Sequence, residues 1–456
     1  MKKLMISAAA LVFATTVVAQ DNVSSVEQVG DANLSTVLQV GSINNNKLVT
    51  KGDNNTAEVV SLGRNNRNVN SQGGDDNNFE VLQTGSHNSS RVNQGQVSSN
   101  GAVTRVGNDN EARLLQDGVG NSSVINQYSA TPGQLSNDNE AVVSQVGDGN
   151  ASVVGQDGDF NFADTAQNGN DNDAIVSQVG DSNFSEVDAQ GNSNVARVYQ
   201  GGQSNTSTIL SSGNGNFADT AQQGTLNDST VDQFGDGNSS EVDAQGNSNI
   251  ARTYQGGNNN DSSIFSTGDS NFADTAQQGN GNSSEVIQTG DSNFSEVDQQ
   301  GNGNLNFVSQ VSNNSSSDVF QVGDGNDTRV SQLGESQVSF VSQLGDSNVA
   351  RVYQGGDSNL SVIAQDGTSN FADTAQQGTN NLSGVLQMGT GNQSEVDQLG
   401  TTNLSLVGQF GAGNVSTVLQ DGTSNGSLVG QLGTGNTSTV SQTGTGNASV
   451  VLQAGF

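Results

Sequence analysis

Side chains able to do acid–base or metal chemistry are present in this chain, but always in repeated copies. Glu186 with Asp188, Glu241 with Asp243, Glu296 with Asp298 and Glu395 with Asp397 each place two carboxylates two residues apart. That spacing puts both on one face of a strand, where they could hold Ca²⁺. The same like charges would keep an exported chain soluble and slow uncontrolled stacking, and this is the reading the sequence favours. His87 is the single histidine and there is no Cys, so neither a His-based triad nor a Cys/His metal site can be assembled. Ser and Asp occupy repeating positions rather than a unique constellation, so an enzyme is not expected and no cofactor is required. Thr-Ser-Thr at 206–208 and 437–439 turns two Thr outward as in ice-binding solenoids, yet the same positions elsewhere hold Phe, Asp, Glu, Val or Arg. Phe456 after alternating residues has the form of a membrane barrel's last strand, but the outward positions are too charged for lipid.

The side chains held in one phase are amides. Val143-Ser-Gln145-Val-Gly147-Asp-Gly-Asn150-Ala-Ser152-Val153 is followed at once by Val154-Gly-Gln156-Asp-Gly158-Asp-Phe-Asn161-Phe-Ala163-Asp164. From Val143 to Val450 the chain divides into 28 such eleven-residue units without gap or insertion. The first slot is Val, Ile or Thr in all 28, and the third is Gln in 24, with Ala189, Ser211, Ala244 and Ser266 the exceptions. The fifth is Gly in 27 (Ser312 differs) and the eighth is Asn in 26 (Ser315 and Gln337 differ). A period this strict dictates a repeat architecture.

Slots 8, 10, 1 and 3 lie two apart and share one face of a strand, while slots 9, 11, 2 and 4 face away. Slots 5 to 7 form a tight turn, where Gly147, Gly158, Gly345 and Gly356 supply backbone angles other residues resist. Each unit is one strand and one turn, and two facing units make a flat rung of 22 residues. The expectation is an all-β solenoid of about 19 two-strand rungs with amyloid-like cross-β stacking, roughly 90 Å long at ~4.8 Å per rung. Stacked rungs place each inward amide over its equivalent, so Gln145, Asn150, Gln156, Asn161, Gln343, Asn348, Gln354 and Asn359 are expected in continuous side-chain ladders. Arg197, Arg252 and Arg351 precede Asp219, Asp274 and Asp373 by one rung, which predicts cross-strand ion pairs that help set register. Phe-Ala-Asp-Thr-Ala-Gln recurs from Phe162, Phe217, Phe272 and Phe371, at odd multiples of eleven, so the two sides of a rung should be nearly equivalent.

Only 30% of residues are apolar and the net charge is −33, which without the period would suggest disorder. The acidic balance argues against a nucleic-acid partner. Residues 1–19 read as a secretory signal, with Lys2 and Lys3 before an apolar run too short for a membrane span. A short leader, 20–25, precedes less faithful repeats at 26–142, which carry an insertion near 131–137 around Pro132, the only proline. The regular array fills 143–456. After Asp397 the last 59 residues hold one charge, Asp421, so the C-terminal edge is expected to be the stickier growth surface.

These residues resemble the curlins, the subunits of bacterial curli fibres, whose motif is Ser-x5-Gln-x-Gly-x-x-Asn-x-Ala-x3-Gln. Gln145-Val-Gly147-Asp-Gly-Asn150-Ala-Ser152 followed by Gln156 fits its core, as does Gln343-Leu-Gly345-Asp-Ser-Asn348-Val-Ala350 followed by Gln354. Here the family's Ser six before the Gln is usually Asn. The resemblance implies a secreted functional amyloid of the biofilm matrix, supporting adhesion and cell aggregation. It also implies a homopolymeric, pilus-like fibre on the surface of a Gram-negative-type bacterium, exported through the periplasm and a dedicated outer-membrane pore, with a nucleator subunit as partner. The alternative from the residues is a monomeric β-solenoid adhesin or Ca²⁺-binding repeat protein.

Overall fold

Alternation of inward and outward side chains, broken every eleven residues by a Gly-containing turn, leaves the backbone one economical solution: parallel strands stacked in two sheets. The computed structural model describes residues 21–97, 103–129 and 135–455, so the expected signal segment lies outside the described residues. The described residues form an all-β solenoid of 19 rungs. One sheet has 19 parallel strands from Val23–Val29 to Thr437–Thr445; the other has 19 from Leu34–Ser42 to Ala448–Ala454. Along most of the stack each residue pairs with the one 22 positions on, as Val195 does with Phe217 and Val338 with Leu360. The first strand starts at Val23, inside the segment expected as a leader.

Slots 8, 10, 1 and 3 point inward throughout. In one rung Val143, Gln145, Asn150 and Ser152 are all buried, and the whole core is a single thin layer of Val, Ile, Ala and a few larger side chains. Ser152 and Thr165 bond across it at 3.2 Å, as Ser207 and Thr220 do at 2.6 Å. Where Val replaces that Thr, the slot-10 hydroxyl is left without a partner, as at Ser185, Ser405 and Ser416. Phe162 and Phe272 fall in the second sheet and Phe217 and Phe371 in the first, the alternation the odd spacing implies.

The less faithful region departs from the period in two steps. Asn78–Ser86 pairs with Glu111–Val119, and Ser89–Gln94 with Ser122–Gln127, both at an offset of 33 residues. The register therefore skips eleven residues here, around the stretch that lacks the turn Gly and ladder Asn, of which 98–102 lie outside the described residues. Gln96–Val97, Val103–Asn108 and Leu135–Asn137 pair with one another, and Gly107 and Ser136 keep the turn column going, accepting from Asn77 Nδ2 at 2.6 Å and Asn110 Nδ2 at 3.0 Å. The next offset is 29, from Glu111 to Glu140, which accommodates seven extra residues; Thr131, Pro132 and Gly133 lie outside the described residues. The final half-unit, Ala448–Ala454, completes the nineteenth rung.

Candidate functional site: the amide ladders and the two end rungs

The Gln positions form directional chains. Gln145 Nε2 donates to Gln167 Oε1 at 2.8 Å and Gln156 Nε2 to Gln178 Oε1 at 3.0 Å. Gln343 and Gln354 donate likewise to Gln365 and Gln376, at 2.9 and 3.0 Å. Each amide also bonds a backbone carbonyl of the facing strand, as Gln156 does to Glu140 O at 2.9 Å. Burying these groups is therefore compensated, where an orphaned amide would cost about 1–3 kcal/mol.

The Asn positions clamp the turns and run with the opposite sense. Asn150 Nδ2 donates forward to Gly169 O at 2.8 Å, and Asn150 Oδ1 accepts from the Asn172 backbone N–H at 3.0 Å. Asn161 donates to Gly180 O at 2.7 Å, Asn348 to Gly367 O at 2.9 Å and Asn359 to Gly378 O at 3.1 Å. The Gly rows are equally constrained. Gly147 has φ +113° and Gly345 φ +99°, with Gly158 and Gly356 alike. A Cβ on Gly147 would collide with the carbonyl oxygen of Gly169 in the next rung.

Within the regular array from Val143, exceptions at the Gln and Asn slots come in vertical pairs. Ala189 lies under Ser211, Ala244 under Ser266 and Ser315 under Gln337. An interruption two rungs long breaks no more bonds at its ends than one rung long, which is the physical reason to cluster defects. Ser211 Oγ then donates to Gln233 Oε1 at 3.0 Å and Ser266 Oγ to Gln288 Oε1 at 3.0 Å, satisfying the first amide after each gap.

Arg197 and Asp219, Arg252 and Asp274, and Arg351 and Asp373 are register partners. The expected ion pairs are nevertheless not made at contact distance; among the described residues, contacts that close join Lys51 to Glu27 and Arg113 to Glu111. Each guanidinium instead lies over the Phe two residues before the Asp: Arg197 over Phe217 at 5.5 Å, Arg252 over Phe272 at 5.7 Å and Arg351 over Phe371 at 5.4 Å. The aromatic face draws the cation while costing it little hydration. The recurrence of Phe twenty residues after each Arg was the available sequence signal.

The Asp carboxyls are poorly compensated as a result. Burial pushes Asp219, Asp274 and Asp373 above the ordinary 3.8, although the neighbouring Arg pulls each the other way. Asp164 is raised by burial and then by Glu186, Asp188 and Glu140; Asp232, Asp298, Asp318 and Asp397 are raised chiefly by burial. A carboxyl whose folded pKa is raised opposes folding fully above that pKa, and releases the penalty as pH falls through it towards the unfolded value. The rod should therefore melt at higher temperature as pH is lowered from 7 towards 4, the reverse of ordinary acid denaturation. Thermal unfolding followed by circular dichroism checks this, and a Tm that falls over that range would refute it. Among the described residues no group of three or more His, Cys, Asp or Glu is arranged to hold a metal ion.

The ladders end at two exposed rungs, and their polarity makes those ends complementary. At the C-terminal rung the forward direction of the Gln chain ends on Gln442 and Gln453, each bonded to the facing strand at 2.9 and 2.8 Å. Asn436 and Asn447 there receive no forward rung for their Oδ1. At the N-terminal rung Gln28 and Gln39 are the first acceptors in phase, and Asn33 Nδ2 already donates forward to Gly52 O at 2.7 Å. Val440, Gln442 and Gly444 hold the same slots as Val26, Gln28 and Gly30, and Val451 and Gln453 the same slots as Val37 and Gln39.

Four segments of the chain, 213–243, 268–301, 367–400 and 416–444, match the family model described as the Curlin associated repeat. No curated protein matches the chain.

Proposed function

We propose that this curlin-repeat protein is the subunit of a curli-like extracellular fibre, growing by end-to-end addition of copies so that the solenoid continues from one chain into the next. In this reading it is secreted by a Gram-negative-type bacterium through the periplasm and a curli-type outer-membrane pore, with a nucleator subunit to start growth. The fibre then supports biofilm matrix, adhesion and cell aggregation. The observation that carries it is the match between end rungs: forward Gln donors at one end meet Gln acceptors in the same phase at the other. The seam between two copies is then chemically one more rung, with backbone and amide ladders both continued. The amide ladders, the turn glycines and the Arg–Phe–Asp columns act together to hold this register.

Purified residues 20–456 should give thioflavin-T growth with a lag that pre-formed seeds abolish, and a cross-β reflection near ~4.8 Å. A flat trace from a folded β-rich monomer, with or without seeds, would discard the fibre and leave a monomeric adhesin using its outward face.

A further inference from the structure

The two outer faces of the rod are nearly equivalent along much of its length, and they diverge sharply near the C-terminal end. In the second sheet, the six strands Val338–Leu344, Leu360–Thr368, Leu382–Thr390, Leu404–Ala412, Gly426–Thr434 and Ala448–Ala454 carry one charged residue between them, Asp366. Six strands of the first sheet over the same end, from Asp327–Glu335 to Thr437–Thr445, carry nine. The outward positions of the second sheet are large and apolar instead. Phe340, Leu386, Leu406, Phe410, Leu428 and Leu432 are between 38% and 56% exposed. Gly384, Gly408 and Gly430 alternate with them, so the face has ridges and recesses; one recess is lined by Phe410, Gly430, Leu432, Leu452 and Ala454.

Six strands at ~4.8 Å by seven residues at ~3.3 Å make roughly 650 Å², more than a monomer's surface usually leaves apolar in one piece. We propose that this face binds the same face of a second copy, so that two solenoids pack side by side, sheet on sheet. Two observations select a second copy as the occupant. A pair of such faces buries about 1,300 Å² in total, within the range of stable protein interfaces. The chain is also strongly acidic, with a net charge of −33, so most other lateral contacts between copies set like charges against each other. Here the pairing brings together Leu, Val, Phe and Gly with only Asp366 to accommodate. Flat faces of this kind pack about 10 Å apart with their side chains interdigitated. Lateral pairing is independent of end-to-end growth, because it uses the side of the rod and not its edges.

The absence of cysteine makes the test direct. Leu406→Cys, at the middle of the face, should form inter-copy dimers with a short bismaleimide at least tenfold more than Thr417→Cys on the opposite sheet. End-to-end stacking cannot produce that product, since it separates equivalent residues by the length of the rod, roughly 90 Å at ~4.8 Å per rung. In electron micrographs, the wild-type protein should show paired rods, and the double variant Leu406→Lys, Leu428→Lys single ones. Seeded elongation measured on the same samples should be unchanged by that double variant, which reads end-to-end growth separately. Equal cross-linking of the two Cys variants, or single-width rods in the wild type, would overturn the pairing. So would capture of the wild type by phosphatidylcholine vesicles without cross-linked dimers, which would assign the face to lipid.

Discussion

Gly345→Val should open the rod locally, raising amide exchange sharply across the rungs around residues 323–367 while the distant rungs stay protected. Gly345 sits at φ +99°, and a Cβ there would run into the carbonyl oxygen and carbon of Gly367. A β-branched residue in that conformation costs about 1–3 kcal/mol in backbone strain alone. The displaced turn would also lose the bond from Asn326 Nδ2 to Gly345 O at 2.8 Å, orphaning a buried amide for about 1–3 kcal/mol more. A loss of roughly 3 kcal/mol or more in one rung is large because a stacked repeat depends on its nearest neighbours. Leu344→Ala, one residue away and facing outward, is the control and should change little. Protection in Gly345→Val equal to that in Leu344→Ala would show that the turn tolerates a side chain. Ser312 shows what that requires: it does not adopt a positive φ, its hydroxyl bonds Asn293 Oδ1 at 3.0 Å, and the ladder Asn of the same turn is replaced by Ser315.

The second large effect concerns growth. Ser441→Pro together with Leu452→Pro should leave the monomer folded and slow elongation more than tenfold. Residues in the outward slots send their backbone groups towards the next rung: Gly426 N donates forward to Asn447 O at 2.7 Å, and Leu432 O accepts from the following Gly455 N at 2.8 Å. Ser441 and Leu452 are outward-facing residues of the last rung, so their N–H groups point away from the chain's own ladder. Proline there removes two donors that only an incoming copy would use, and its ring blocks close approach. Two buried carbonyls left without donors at about 1–3 kcal/mol each account for a factor above ten. Stopped-flow or seeded thioflavin-T elongation reads the effect, and circular dichroism confirms that the monomer's β content is intact. Elongation at the wild-type rate would mean that the C-terminal edge is not where copies add.

How much of this was determined by the amino-acid sequence alone follows from what a period can and cannot encode. Alternation with period two, interrupted every eleven residues, fixes which side chains face inward, because a strand has only two faces. Identical slots then stack on identical slots, so the 22-residue rung, the two parallel sheets and the placing of Gln145, Asn150, Gly147 and their equivalents needed no further information. The sense of the ladders, Gln donating forward and Asn accepting from the next rung, did. It depends on which way each amide turns beside a given carbonyl, and from it comes the complementarity of the two end rungs. The tertiary structure also decided the partner of Arg197, Arg252 and Arg351. Register sets the Asp directly opposite and the Phe on the diagonal, and the guanidinium nevertheless lies over the ring. The stretch after Gln94 is recognisable as a poor repeat, but only the stack shows that the register there steps by 33 residues instead of 22. The apolar patch was hidden for a different reason. Its residues come in short outward sets, such as Leu406 with Phe410 and Leu428 with Leu432, that recur every 22 residues with a strand of the other sheet between them, and only stacking every second unit gathers them onto one face.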